Sequence, residues 1–455
     1  MSIYFSDDKV SVHAGDCRIV MQTLPECSVD AVVCDPPYEL TRRAQAGGFM
    51  GKSWDATGVA FDPTTWDRVL RLLKPGGHLL AFGGTRTWHR LAVAVEDAGF
   101  EIRDSIAWLH GSGFPKSRDV AKAIDAAAGA ERQIVGTTSA GSTSLQRMSR
   151  VSHGYRAAPT DVTPGEIPVT VPATTEAARW EGWGTALKPA FEPVLVARKP
   201  LIGTIAANVQ EHGVGGININ ACRVSSGCAS QSGRADEPSS SRRYSKQGAV
   251  NLAATPGPRG GSCLGRWPAN AVIDPDQSVL LDGQSGPLIS GANPTVRGSD
   301  KFRNAYGDFK GQQTSSPGRG TDVGGASRFV TVADWTEGDR AAVDQLSARF
   351  RYNPKAGRSE RPEQNGVQHP TVKPLELMRW LVRLVTPPRG LLLDPFGGSG
   401  TTAEAALLEG FRCTIIEQDA AYLPLIVQRI RRRRDPVAYL ADRGEDLGLF
   451  DEQPS

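Results

Sequence analysis

The chain has 455 residues, enough for two to four domains at roughly 100–200 residues each, or for one large domain with insertions. Its 52 Lys and Arg against 49 Asp and Glu leave a net charge of +3, which excludes a histone-like basic coat and an acidic disordered tail. Hydrophobic residues are 39%, and 50 glycines with 31 prolines make about a sixth of the chain turn-former, so a sizeable core goes with long loop-rich stretches.

The first hundred residues read as strand alternating with helix. Val10–Ala14 is a short β-branched run stopped by Gly15-Asp16, and Val29–Cys34 is an apolar run stopped by Asp35-Pro36-Pro37. Helical spacing from Pro63 to Leu73 (Trp66, Val69, Leu70, Leu73) ends at Lys74-Pro75-Gly76-Gly77, which reads as a helix stop and turn before a strand at residues 78–82. A helix from Trp88 to Ala98 and a strand over residues 102–109 follow. Strands alternating with helices of this length predict a parallel α/β sheet.

The regularity then breaks. Gly111-Ser112-Gly113-Phe114-Pro115-Lys116 opens a loop, residues 120–130 are Ala-rich and helical, and residues 137–178 are dominated by Ser, Thr, Pro and Gly. A strand signal returns at residues 193–197. Residues 201–330 are glycine-rich and poor in aromatics, so mobile loops are expected, with residues 216–223 and 266–273 as islands able to fold. Regular texture resumes with an amphipathic helix at residues 375–385, a buried strand at 391–393, a helix at 401–409, a strand at 413–416 and a helix at 421–432 that turns strongly basic. The economical reading is one discontinuous sheet. No run approaches the ~18 consecutive apolar residues of a membrane span. The first nine residues lack a basic-then-apolar signal pattern. Seven cysteines, an odd number without a CxxC pair, argue against a disulfide framework and a zinc site and fit a reducing cytoplasm.

Two strings carry chemistry. In Leu391-Leu392-Leu393-Asp394-Pro395-Phe396-Gly397-Gly398-Ser399-Gly400-Thr401-Thr402 a buried strand runs into a glycine-rich turn and then a helix. Glycines let the backbone approach a ligand, and the helix start offers free N–H groups. Glu417 follows about 20 residues on, at the end of the next strand, where an acid reads ribose hydroxyls in dinucleotide folds. A lone GxG would more plainly be a packing turn; with Asp394-Pro395 and Glu417 in place, a nucleoside cofactor is expected. In Val32-Val33-Cys34-Asp35-Pro36-Pro37-Tyr38 two prolines stiffen the turn after a buried strand. The Asp35 carboxylate, the Pro36 carbonyl and the Tyr38 ring then form a clamp for a planar amine.

These strings resemble the motifs of the S-adenosylmethionine-dependent amino-methyltransferases of DNA. Asp35-Pro36-Pro37-Tyr38 resembles their catalytic motif and residues 394–400 their cofactor loop. His369-Pro370-Thr371-Val372-Lys373-Pro374 is similar to the segment that helps enclose the methionine end of the cofactor, which places Thr371 and Lys373 there. Catalytic motif first, a long recognition region, then the cofactor loop is the order of the family's β group. The resemblance covers residues 10–110, 190–200 and 369–430. It implies a doubly wound, Rossmann-like α/β sheet in circularly permuted order with a loop-rich inserted recognition region. The expected domains are a catalytic one (1–110, 186–200 and 369–435), an inserted loop and short helix (111–185), a recognition region (201–368) and a C-terminal tail (436–455). Asp16 matches the acid commonly found near the cofactor adenine. With Asp394, Pro395, Phe396, Gly397, Gly398, Gly400, Thr401 and Glu417 it completes the expected cofactor set. Residues 49–55, 111–116 and 182–189 resemble segments of phage and prophage methylases.

The implied reaction is methyl transfer from S-adenosyl-L-methionine to the exocyclic amine of a base flipped out of double-stranded DNA, with Tyr38 as stacking partner. Asp at the first motif position goes more often with adenine N6, and Ser with cytosine N4, so adenine is preferred and cytosine N4 stays open. Lys116, Arg351, Lys355 and Arg358 are candidate phosphate contacts, with Arg118, Arg242 and Arg243; for each, a solvated surface charge is the plainer reading. Arg429 and Arg431–Arg434 fit DNA or a helix dipole equally. No metal and no membrane are expected, and a homodimer is left open. The rivals are an RNA or protein methyltransferase, which generally places the cofactor loop first, a dead methylase fold that only binds DNA, and a dinucleotide oxidoreductase, which leaves Asp35–Tyr38 unexplained.

Overall fold

The computed structural model describes residues 2–39, 53–110, 117–139, 166–187, 189–223, 267–273, 275–285, 288–290, 303–304, 307–308, 322–324, 331–332, 361–364 and 366–434. Its contacts divide into two units, Met1–Ser112 with Ala190–Ser455, and Gly113–Pro189.

The larger unit opens with a hairpin, β1 (Ser2–Ser6) against β2 (Val10–Ala14). Asp7 closes its turn by accepting the N–H groups of Lys9 and Val10 at 2.8 and 2.7 Å. There follow α1 (Cys17–Thr23), β3 (Val29–Cys34), α2 (Pro63–Leu72), β4 (Leu73–Phe82), α3 (Trp88–Asp97) and β5 (Glu101–Leu109). The smaller unit contains α4 (Val120–Ala127), the antiparallel pair β6 (Ile134–Ser139) and β7 (Glu166–Thr170), and α5 (Thr175–Ala178). Buried Asp125 ties it together, accepting from Arg132 (2.6 Å), Thr174 Oγ1 (2.8 Å) and the N–H of Ala173 (3.0 Å). The larger unit resumes with β8 (Phe191–Arg198), α6 (Ile205–His212), β9 (Ala271–Ile273) and α7 (Pro275–Ser285). Short strands come next: β10 (Leu288–Ser290), β11 (Arg303–Asn304), β12 (Gly307–Asp308), β13 (Asp322–Gly324), β14 (Thr331–Val332), β15 (Glu363–Gln364) and β16 (Val367–Gln368). The chain closes its core with α8 (Leu375–Val385), β17 (Leu391–Asp394), α9 (Thr401–Leu408), β18 (Arg412–Glu417) and α10 (Leu423–Arg434).

One ten-stranded sheet organises the larger unit, in the order β1-β2-β18-β17-β3-β4-β8-β5-β9-β14. β2, β18, β17, β3 and β4 are parallel, and β8 runs antiparallel to both β4 and β5. The strands are apolar at consecutive positions because both faces are covered, as in any doubly wound sheet. Their period of two sorts the side chains. Ala31, Val33, Leu80, Phe82, Leu392 and Ile415 pack with α8, α9 and α10. Val32, Cys34, Leu79, Ala81, Leu393 and Ile416 pack with α1, α2 and α3 on the other face. This is the α/β class read from the sequence.

Several local readings are corrected. Lys74-Pro75-Gly76-Gly77 is not a turn between helix and strand; it lies inside β4. The ladder pairs Val29 with Leu73 and then Ala31 with His78, so residues 74–77 bulge out while pairing continues on both sides. Buried Asn208 of α6 holds the bulge, its Nδ2 donating to the carbonyls of Pro75 (2.9 Å) and Val214 (2.8 Å). Gly76 has φ +81, and a Cβ there would stand 2.5 Å from Asn208 Nδ2. Part of the stretch expected to be loose is thus folded: α6 is in place against β4. Likewise β6 and β7 pair within the Ser/Thr/Pro-rich segment expected to be loop, and β1 precedes the first expected strand. Of the two islands, the first holds a 3-10 turn at Asn220–Cys222 and the second supplies β9.

The basic end of α10 is drawn inward. Glu404 on α9 is fully buried and binds Arg429, Arg432 and Arg433, the last at 2.8 Å. Arg434 pairs with Asp7 at 3.2 Å and with Asp8. Arg429, Arg432, Arg433 and Arg434 therefore have intramolecular partners, and Arg429 is too buried to reach DNA.

Candidate active site

The parallel strands end along one edge of the sheet, and the acids stand just beyond them: Asp16 after β2, Glu417 closing β18, Asp394 closing β17 and Asp35 after β3. From β17 the chain proceeds outward to β18, and from β3 outward the other way to β4. The direction reverses between β17 and β3, which pair at Leu392–Ala31 and Leu393–Val32. Ligands of open α/β sheets bind at such a reversal, outside the carboxyl ends of the strands. The two motifs, more than 350 residues apart in the chain, flank it.

The glycine turn is tightly built. The N–H of Gly397 donates to Ile416 O (2.8 Å), that of Gly400 to Gly397 O (2.8 Å), and that of Gly398 to Glu417 Oε2 (2.6 Å). A Cβ on Gly397 would stand 2.4 Å from Ile415 Cγ2; on Gly400, which has φ +80 and caps α9, it would meet Ile426 Cα at 2.9 Å. Asp394 Oδ1 accepts the Phe396 N–H at 3.0 Å. Burial pushes the Asp394 carboxyl up to about 7 against hydrogen bonds from Thr402 and Phe396. Burial likewise pushes Glu417 up to about 7, against the N–H groups of Asp419 and Gly398. Phe396 turns into the core beside Trp66 (ring centroids 6.2 Å), while Thr401 is buried with its hydroxyl 3.1 Å from that of Ser399. Asp16 is engaged locally: it caps α1 through the Arg18 N–H (2.8 Å) and pairs with the Arg18 guanidinium (2.6 Å). Its neighbour Gly15 donates to Glu417 O at 2.9 Å, so the β2 end lies beside the β18 acid.

Over the glycine turn lies an aromatic group whose members the sequence reading met only separately, His369 in the segment 369–374 and Trp54 in 49–55, while Tyr422 was not picked out. The His369 ring stands 3.2 Å from where a Gly398 Cβ would be. Trp54 stacks on it (6.0 Å, 14°) and Tyr422 meets it edge-on at 4.5 Å. The residue after Trp54 reaches the other motif, since Asp55 Oδ1 accepts the N–H of Glu39, which has φ +51, at 3.0 Å. One short segment thereby grips both halves of the site.

On the β3 side, Asp35 Oδ2 binds the Lys373 ammonium, and Asp35 Oδ1 is buried with no hydrogen-bond partner among the described residues. Pro36 is buried and Pro37 half-buried. Tyr38 donates its hydroxyl to Glu192 Oε2 (2.7 Å), and its carbonyl accepts from Thr87 Oγ1 (2.8 Å). Lys373 Nζ also lies 3.5 Å from Glu192 Oε2 and sits over the rings of Phe82 (4.7 Å) and Tyr38 (5.2 Å). Burial raises the Asp35 carboxyl above its ordinary range and Glu192 adds to this, while Lys373 and the Tyr38 hydroxyl oppose it. Lys373, grouped with the cofactor segment by sequence, thus stands against Asp35. Thr371 donates its N–H to His369 Nδ1 at 3.3 Å.

Residues 29–133 and 291–428, more than half of the chain, match the family described as DNA methylase (N6_N4_Mtase). The chain belongs to the DNA methylase family. It is 29% identical over 117 residues to the type II methyltransferase M2.LlaDCHI of Lactococcus lactis subsp. cremoris, spanning 23% of this chain and 43% of that one. It is 29% identical over 153 residues to M.HindIII of Haemophilus influenzae, spanning 33% and 35%. The chain thus spans less than half the length of these curated relatives. Among solved structures, it aligns with the cytosine-N4-specific PvuII DNA methyltransferase over 94% of this chain and 88% of that one (13% identity, TM-score 0.40). It also aligns with a DNA modification methylase from Thermus thermophilus complexed with S-adenosyl-L-methionine, over 93% and 95% (15% identity, TM-score 0.35).

In this member of the family the fold brings Asp35, Pro36, Pro37, Tyr38, Lys373, Asp394 and the glycine turn to one reversal point. Lys116, Arg351, Lys355 and Arg358 lie outside the described residues, as do Arg242 and Arg243. Arg118 is exposed in the smaller unit. Glu192 and His110 are the functional-site neighbours that sequence reading missed. Glu192 lies in β8 and His110 just after β5, each beside a segment noted in the sequence (182–189 and 111–116) but outside it, so the strings did not mark them.

Proposed function

We propose that this protein transfers a methyl group from S-adenosyl-L-methionine to the exocyclic amine of a flipped base in double-stranded DNA, and that the base is adenine, methylated at N6. The observation that carries the reading is the Asp35 carboxylate beside the glycine turn: one oxygen is committed to Lys373, and the other is a buried acceptor with no hydrogen-bond partner within bonding distance among the described residues. A buried acceptor of that kind is costly unless a donor reaches it, and an amine N–H is such a donor.

The residues fit the cofactor. Gly397 and Gly400 leave no room for a Cβ against Ile415 and Ile426, which fixes the turn, and two carboxylates beside it, Asp394 and Glu417, are suited to a cationic nucleoside bearing ribose hydroxyls. Asp394, Gly398, Glu417 and the backbone of residues 395–400 would hold it, under the Trp54, His369 and Tyr422 rings. When bound it would supply an electrophilic sulfonium methyl to the amine nitrogen, with the carbon–sulfur bond pair staying on sulfur and the nitrogen giving up a proton.

The chain's own residues deal with a poor nucleophile. A conjugated amine is planar, and accepting its hydrogens at Asp35 and at the Pro36 carbonyl favours the pyramidal form. Burial disfavours the Asp35 charge, and Lys373 opposes that by favouring the ionised form. Pro36 and Pro37 fix the acceptors relative to the Tyr38 ring, so most of the rate enhancement is positioning. Asp rather than Ser at position 35 supports adenine over cytosine through the family resemblance.

The test is mass spectrometry of nucleosides from DNA incubated with the protein and labelled cofactor, with Asp35→Ala as control. Label in N6-methyladenine, lost in the variant, is the expected result. Label in N4-methylcytosine would overturn the base and keep the mechanism. No label in any DNA would overturn the reading.

A further inference from the structure

Glu192 opens β8, across β4 from the catalytic motif, and pairs in register with Trp108 of β5. The N–H of Gly83, just past β4, donates to the carbonyl of Pro193 at 2.9 Å, which fixes where the Glu192 side chain begins. From there its carboxylate meets three separate segments. Oε2 accepts the Tyr38 hydroxyl (2.7 Å) and lies 3.5 Å from the Lys373 ammonium; Oε1 lies 3.7 Å from His110 Nε2. The side chain is 12% exposed, so solvent screens these contacts little.

Tyr38 is thereby held at three points. Glu192 takes its hydroxyl and Thr87 its carbonyl. Gly84 lies so close to the ring that a Cβ there would stand 3.2 Å from Tyr38 Cδ2. Of the three, only Glu192 also touches the cation that faces Asp35. A neutral group in its place could still accept from Tyr38 but would lack the charge that attracts the ammonium.

We propose that Glu192 is a positioning residue of the methyl-transfer site, holding the Tyr38 hydroxyl and the Lys373 ammonium at once and so fixing both the ring that receives the base and the cation that faces Asp35. This rests on the methyl-transfer reading above. The role is indirect: Glu192 acts on the reaction through Tyr38, Lys373 and Asp35. The charged and titratable groups around this cluster are Asp35, Lys373, Tyr38 and His110, with Cys34 and Asp394 on the far side of Asp35. Glu192 is an anion beside Asp35 and favours its protonated form, so neutralising Glu192 should make Asp35 easier to ionise.

The experiment measures kcat and KM for cofactor and DNA across pH for the full-length wild type, Glu192→Gln, Tyr38→Phe and the double variant. Glu192→Gln should lower kcat by about 10- to 100-fold, the scale of a slightly misplaced reacting pair, with little change in the KM for cofactor. It should also move the acid limb of kcat/KM to lower pH, which a merely structural defect would not do. In the Tyr38→Phe background the same change should cost clearly less in kcat, because one of its three contacts is already gone. Should Glu192→Gln not fold, Tyr38→Phe and Glu192→Asp carry the test: Tyr38→Phe should itself lower kcat, and Glu192→Asp, which keeps the charge, should leave the acid limb in place while kcat falls. A Glu192→Gln profile superimposed on the wild type, or full additivity with Tyr38→Phe, overturns the role of Glu192 alone. Absence of methylation by the wild type overturns the reading of the site and this role with it.

Discussion

Glu404→Gln changes the stability of the molecule through one identifiable cation. Glu404 is 0% exposed and accepts from three guanidinium groups, whose side chains are 1% exposed for Arg429, 30% for Arg432 and 36% for Arg433. Arg432 and Arg433 can turn towards water when the carboxylate is neutralised, so each loses what an ordinary surface pair contributes, about 0–1 kcal/mol. Arg429 cannot, and stripping one partner from a buried pair costs about 3–5 kcal/mol. Nearly all of the loss is therefore assigned to Arg429. Urea unfolding of the full chain should show Glu404→Gln destabilised by about 3–5 kcal/mol, and Arg432→Ala or Arg433→Ala by less than about 1 kcal/mol. The double variant Glu404→Leu with Arg429→Met should recover much of the stability, since a packed apolar pair has no desolvation cost to offset. The pH dependence has a definite sign. Burial works against the Glu404 charge, but Arg429, Arg432 and Arg433 outweigh it and hold the carboxyl below its usual range. Its contribution is then fully present above the ordinary carboxylate pKa and is lost as pH falls through the depressed folded value, so the Gln variant should flatten the acid side of the stability curve. A Gln variant no weaker than Arg432→Ala would refute the assignment. The consequence reaches the site: α9 starts at the glycine turn, and this ion pair fastens α10 to it.

Other expected outcomes follow from the same geometry. Lys373→Met removes the cation opposing burial at Asp35, so the acid limb of kcat/KM should move to higher pH, opposite to Glu192→Gln; an unmoved limb would show that Lys373 does not govern Asp35. Gly400→Ala forces a Cβ into a left-handed residue (φ +80) against the Ile426 backbone, at a cost of at least about 1–2 kcal/mol, so calorimetry should show weakened cofactor binding and a lowered Tm, and wild-type affinity would count against the turn as the cofactor cradle. Asp394 and Glu417 sit at about 7 and a cation favours their ionised forms, so affinity for S-adenosyl-L-methionine should rise from pH 6 to 8 and then level off; a flat titration would mean that neither acid faces the cofactor.

The central strands were legible because burial on both faces writes a near-continuous apolar run, as in Ala31–Cys34 and in Leu391–Leu393. The elements that escaped are those whose pattern is written elsewhere. β1 is an edge strand with four of five residues exposed, so nothing in its own sequence demands burial. α6 leaves Ile205 and Val209 exposed; it is fixed by buried Asn208, whose partners lie at Ile202, Pro75 and Val214, and no periodicity reports a hydrogen-bonding side chain. The bulge in β4 reads as a turn for a sound local reason, since Gly76 does adopt a turn-like backbone. Only the neighbouring strand shows that pairing resumes on both sides.

The site divides in the same way. Asp35–Tyr38 and Asp394–Gly400 were readable because each is a contiguous string at a strand end, where backbone geometry alone sets what the residues can do. Lys373 was noticed, but sequence adjacency tied it to Thr371 and the cofactor segment, whereas its four-carbon stem carries the ammonium past Phe82 to Asp35. Glu192 was invisible, because its importance arises only when β8 is laid against β4 and brings an unremarkable acid within reach of Tyr38 and Lys373. Strings report the parts of a site that the backbone positions; the parts positioned by packing two distant strands appear only in three dimensions. Under the proposed reading, the charge on Asp35 is set between one residue that a motif contains, Lys373, and one that no motif contains, Glu192.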